Sequence, residues 1–136
     1  MDTDAKANLQ RGGESKLLLR AETEKLIGFS FEVLNELGHG LNEKVYENSL
    51  VVLFKRHGIV FDQQRRFPVM FRGEQVGEFI PDLIAFGSVI VDAKVVDRIT
   101  DHERGQVLNY LRIAKLRVGL IVNFKHARLE WERIVL

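Results

Sequence analysis

The apolar residues fall into two textures. Leu18, Ala21, Ile27, Phe31, Leu34 and Leu37 recur at helical intervals, which predicts an amphipathic helix over Leu17 to Leu37 ending at the breaker Gly38-His39-Gly40. Asn42 suits an N-cap, Glu43 a first turn, and Tyr46, Leu50, Leu53, Phe54 and His57 form the stripe of a second helix that closes before Gly58. From Ile59 onward, β-branched and aromatic residues gather into short runs divided by turn formers. Strands are predicted near Gln64 to Phe71, Gln75 to Phe86 with Pro81 as an irregularity, and Val89 to Val96. Turns at Arg72-Gly73 and Gly87-Ser88 would make these an antiparallel meander. Thr100 followed by Glu103 is a capping-box pattern, and it predicts a helix from about Asp101 to Lys115 that buries Val107, Leu111 and Ala114. Arg117 to Phe124 and Leu129 to Val135 read as two closing strands.

The order α, α, β, β, β, α, β, β implies an α/β fold with a mixed central sheet flanked by helices. A length of 136 residues fits one core. We expect a single domain over residues 15–136, preceded by a mobile tail at 1–14 where no apolar period exists. The chain has no cysteine, so a metal would be held by oxygen or imidazole. Neither an apolar leader nor a run of roughly 18 apolar residues is visible, and the expectation is a cytoplasmic protein that does not enter membranes. Net charge is only +1, but it is unevenly spread: residues 1–50 carry −3, whereas residues 94–128 carry +5. A basic second half suits a phosphate backbone, although solubilising surface charge explains it equally well.

Candidate chemistry sits in two strand-like runs. Phe79-Ile80-Pro81-Asp82-Leu83-Ile84-Ala85-Phe86 is apolar at odd and even positions alike, as a strand covered on both faces would be, and Asp82 interrupts it. A carboxylate there loses hydration and needs a cation, a metal or strong donors. In the next run Val89, Val91, Ala93 and Val95 form one apolar face, which leaves Asp92 and Lys94 pointing together to the other. Two carboxylates and an amine suit a hard cation such as magnesium, with the lysine holding or activating an attacking water for phosphodiester hydrolysis. The competing reading is a structural ion pair at a sheet end.

Pro81-Asp82 followed by Asp92-Ala93-Lys94 resembles the PD-(D/E)XK nuclease motif. Gly40-Leu41-Asn42-Glu43-Lys44-Val45-Tyr46 resembles the signature of the small bacterial GxxExxY proteins, a branch of that superfamily. Gln106-Val107-Leu108-Asn109-Tyr110 resembles the Q-h-x-x-Y helix motif of RecB-type nucleases. The resemblance covers roughly residues 24 to 136 and implies a restriction-endonuclease-like core with N-terminal helices. It implies that Asp82, Asp92 and the Ala93 carbonyl hold Mg2+ or Mn2+, that Glu43 completes the acidic cluster, and that Lys94 positions water or steadies charge. Asp92 stands where Glu is commoner before x-Lys.

Other residues are read from their positions. His102, Gln106 and Tyr110 form a polar stripe on the later helix. There Gln106 would bind substrate or orient a ligand, Tyr110 would sit beside substrate, and His102 is excluded as a ligand. Arg98 and Arg104 flank the site in sequence and are the chosen phosphate contacts, while Tyr46, Phe124 and Trp131 are read as packing and Gly40 as a turn.

The leading expectation is a metal-dependent nuclease acting on DNA in preference to RNA. The alternatives are a degenerate nuclease fold that binds nucleic acid or a protein partner, and a structural ion-pair domain. So short a chain leaves room for a homodimer, in which two sites would cut both strands. The metal reading sets a condition on register. A two-residue loop at Gly87-Ser88 would put Asp82 and Asp92 on opposite faces, so the site demands a three-residue turn near Gly87 or a bulge near Pro81.

Overall fold

The computed structural model describes residues 18–136; residues 1–14, the expected tail, and the predicted helix start at Leu17 lie outside them. Helix α1 (Arg20–Leu37) stops at Gly38, whose φ of 81° and N–H bond to Leu34 O close the last turn. Helix α2 (Glu43–Arg56) starts where Asn42 Oδ1 accepts from Lys44 N at 2.9 Å. The chain continues as β1 (Phe61–Gln63), β2 (Phe67–Phe71), β3 (Glu74–Phe79), β4 (Leu83–Ala85), β5 (Val89–Lys94), α3 (Asp101–Ala114), β6 (Val118–Asn123) and β7 (Glu130–Val135). The capping box of Thr100 and Glu103 is complete at the start of α3.

Five strands form one sheet in the order β1-β4-β5-β6-β7, in which only β5 and β6 run parallel, joined through α3. One face of the sheet, with Leu83, Ala85, Val89, Val91, Ala93, Leu120 and Val122, packs on α1 and α2. The other face, with Ile84, Ile90 and Ile121, packs on Val107 and Leu111 of α3. This is the mixed α/β sheet flanked by helices that the sequence implies. Among the described residues no helix is long and apolar enough to cross a membrane.

Three expectations need correction. The buried face of α1 is Thr23, Leu26, Phe29, Ser30, Val33 and Leu34, while Phe31 and Leu37 face solvent. The polar members are cheap to bury because their hydroxyls donate back to the helix, Ser30 to Leu26 O at 2.9 Å and Thr23 to Leu19 O at 3.1 Å. Trp131 is also 42% exposed rather than packed in the core.

The meander does not form either. Strands β2 and β3 make a separate two-stranded sheet, and the unforeseen β1 takes the place beside β4. Backbone chemistry accounts for both breaks. Gln64 at φ 57° turns the chain out of β1, and Pro81, with no N–H, ends the ladder between β3 and β4.

Candidate active site at the end of the β4–β5 pair

The loop Phe86-Gly87-Ser88 joins β4 to β5 with Ala85 opposite Val89, a three-residue turn in which Phe86 and Gly87 take φ of 59° and 66°. Leu83 therefore stands opposite Val91, and one position further Asp82 is level with Asp92 on the same face. That is the register a shared site requires. The Asp82 and Asp92 carboxyl groups are near enough for the Asp92 charge to act on Asp82, and Asp82 Oδ2 accepts from Ala93 N at 3.1 Å.

Carried one step more, the register sets Pro81 opposite Ala93. Lys94 O accepts from Phe124 N on the β6 side, so the Ala93 carbonyl, one residue earlier, faces the opposite edge. The Ala93 carbonyl is thus on the β4 edge of the strand, where Pro81 has no N–H to give it.

Lys94 closes the group. Its Nζ lies 3.3 Å from Asp92 Oδ2 and donates to Gln106 Oε1 at 3.0 Å, and Gln106 Nε2 donates to the Tyr110 hydroxyl at 2.7 Å. The tyrosine ring stacks on Phe79, which stacks on Phe67, so the hairpin and α3 brace the stripe together. Asp92 is buried, and its Oδ2 has no aligned hydrogen-bond donor even with Lys94 nearby. Burial, then the charge of Asp92, push the Asp82 carboxyl up to about 8. Burial also raises Asp92, against the pull of Lys94. For Lys94, burial alone would favour the neutral amine, but the carboxylate of Asp92, with Glu43 and Asp82, outweighs it and holds the ammonium above its ordinary range.

A family model for the PD-(D/E)XK nuclease superfamily matches residues 20–134. The chain belongs to this superfamily. Its members usually hydrolyse phosphodiester bonds. Among solved structures, the one titled "Crystal structure of SSO0001" aligns with a TM-score of 0.55 at 16% identity over 88% of this chain, a likeness of fold. This chain spans 60% of the length of that one. A search of curated proteins found no match.

Within this superfamily member, other residues singled out from the sequence are placed as follows. Glu43 Oε1 accepts from Val95 N at 3.1 Å, and among the described residues no three His, Asp or Glu side chains converge as a metal-ligand set. Its charge still acts on Asp92 and Lys94. Arg104 is turned away from the centre. Its guanidinium makes two bonds of 2.6 Å to Glu132 and one of 2.9 Å to Asp101, fastening α3 to β7. Arg98 is exposed and has no ion-pair partner among the described residues.

Tyr46 and Gly40 explain the turn before α2. The Tyr46 ring stacks on Phe124 at 4.2 Å, its hydroxyl donates to Gly38 O and accepts from Leu41 N, and Gly40 takes φ of 78° while donating to Phe124 O. That latch brings the start of α2, and with it Glu43, against the end of β5.

Sequence reasoning missed Glu47. It is 3% exposed and accepts from Lys44 Nζ, Gln63 Nε2 and Gln64 Nε2 at 2.8, 2.5 and 3.0 Å. Its charge contributes to raising Asp82. The signal was its spacing, four residues before Val51 and seven before Phe54, on the buried stripe rather than off it.

Proposed function

We propose that this protein is a divalent-metal-dependent nuclease that hydrolyses DNA in preference to RNA. The observation that carries the reading is the even register of β4 and β5, which sets Asp82 and Asp92 side by side with an unladdered Ala93 carbonyl. Two carboxylates and a carbonyl are hard oxygen donors that suit Mg2+ or Mn2+, ions that keep several waters and share substrate phosphate oxygens. Asp92 Oδ2 has the Lys94 ammonium 3.3 Å away but no aligned hydrogen-bond donor, which leaves its lone pairs open to a metal ion. Such an ion, when bound, makes water a stronger nucleophile and offsets charge on the phosphoryl oxygens.

The chain's own groups do the rest. Asp82, Asp92 and the Ala93 carbonyl hold the ion. Lys94, kept charged by Asp92, donates to the attacking water or to a non-bridging phosphate oxygen. Gln106 holds Lys94 in place by accepting from it, and Tyr110 holds Gln106. Arg98, exposed and without an ion-pair partner among the described residues, is a cation for a flanking phosphate. The spacing of Gly40, Glu43 and Tyr46 supports the narrower assignment to the GxxExxY group.

Mn2+ should raise the melting temperature of the wild type as RT ln(1 + [L]/Kd), about 2.7 kcal/mol at a hundredfold excess over Kd, and leave Asp82→Asn and Asp92→Asn unmoved. Labelled DNA should be cut with Mg2+ or Mn2+, spared with a chelator, and spared by Asp92→Asn and Lys94→Ala. Turnover retained by folded Asp92→Asn would overthrow the mechanism. Metal binding without cleavage of DNA or RNA would return the alternative, a nuclease fold that binds without cutting.

A further inference from the structure

We infer that Glu47 is a positioning residue for Asp82, acting through Gln63 and Gln64; the inference rests on the metal-site reading above. The carboxylate of Glu47 is the sole charged group of α2 within the core, and its oxygens are taken up by donors: Lys44 and Gln63 on Oε2, Gln64 on Oε1. Gln63 ends β1, and Gln64 is the residue at φ 57° where the chain leaves the sheet. The backbone N–H of Gln64 then donates to Asp82 O at 3.0 Å. Asp82 itself lies outside β4, between Pro81 and the first laddered residue, Leu83. Its backbone carbonyl is therefore fixed by Gln64 and its side chain by Ala93 N.

Two amide side chains on one carboxylate make the arrangement specific. A carboxylate accepts from both Gln63 and Gln64 as they stand, whereas an amide in its place keeps both contacts only if one of them turns its own amide over to accept. Glu47 is 3% exposed, so an NH2 in its place would have no water to turn to, whereas Gln64 is exposed and can release its half of the contact to solvent. Glu43 and Glu47 thus grip two strands from one helix, Glu43 at the exit of β5 and Glu47 at the exit of β1.

The test compares wild type, Glu47→Gln, and the double variant Glu47→Gln/Gln64→Glu, which restores an acceptor facing a donor with the polarity reversed. Three quantities are read: Mn2+ affinity by calorimetry, kcat and KM on labelled DNA, and, without metal, hydrogen exchange at the Gln64 amide. Glu47→Gln should bind Mn2+ about 10- to 100-fold more weakly, the usual loss for a group that orients a ligand. It should lose kcat with KM for DNA unchanged, and expose the Gln64 amide while the Val91 amide stays protected. The double variant should recover most of each.

A Glu47→Gln protein that melts lower but keeps wild-type Mn2+ affinity, kcat and Gln64 protection would overturn the inference and leave Glu47 a buried fold anchor. So would a double variant that recovers stability alone. A wild type that binds no Mn2+ would instead defeat the metal reading, and the Gln64 amide would then decide by itself whether Glu47 holds the Asp82 segment.

Discussion

Asp82 is the residue whose chemistry depends most on its surroundings. Burial and the neighbouring Asp92 charge raise its carboxyl to about 8, so without metal the folded protein keeps a proton there that the unfolded chain releases near pH 4. Between those values the native state binds more protons, and its stability falls as pH rises until both states are ionised above about 8. Urea titrations of metal-free protein should therefore show declining stability from pH 5 to 8, and Asp82→Asn should flatten the decline and melt higher at pH 8. A flat wild-type profile would show that the pair is not strained. Since binding expels that proton, Mn2+ affinity should strengthen by about tenfold per pH unit below 8. Asp82 and Asp92 were legible in the sequence because each interrupts an otherwise apolar run. Glu47 was not, because one more charge among the helix's lysines and glutamates looks like surface until its tertiary partners are known. The ion pairs of Arg104 were hidden for the converse reason: nearness in sequence to Lys94 says nothing about Glu132, its partner on β7.

At the scale of elements, helix boundaries were readable because caps are local: Asn42, Thr100 with Glu103, and Gly38 each act within a turn of themselves. Strand pairing was not, because one missing donor at Pro81 decides whether β3 runs on into β4. Pro81→Ala restores an N–H opposite Ala93, and the new ladder bond should occupy the carbonyl. Mn2+ binding should weaken about tenfold without loss of thermal stability, and unchanged affinity would show that the Ala93 oxygen is not a ligand. The α3–β6 contact is similarly exacting. A Cβ on Gly119 would lie 2.5 Å from Cγ1 of Val107, a stiff side chain with no room to turn. Gly119→Ala should cost about 1–3 kcal/mol in urea unfolding with an unaltered m-value. No loss would mean that α3 shifts freely over the sheet.

Across the whole molecule, two apolar cores clamp one sheet, and the β2–β3 hairpin stands apart with Met70, Phe71 and Val76 more than half exposed. Native-state hydrogen exchange should accordingly find hairpin amides opening at far lower free energy than those of β5 and β6; equal protection would mean the hairpin belongs to the same cooperative unit. The same separation bears on how the chain can be lengthened. The hairpin tip, Arg72-Gly73, has φ of 50° and 81° and belongs to none of the strands of the main sheet. A guest peptide spliced into that tip adds residues where none of the five central strands counts them. The chain can therefore carry a fluorophore, an affinity handle or a whole inserted domain there, with Asp82 still level with Asp92.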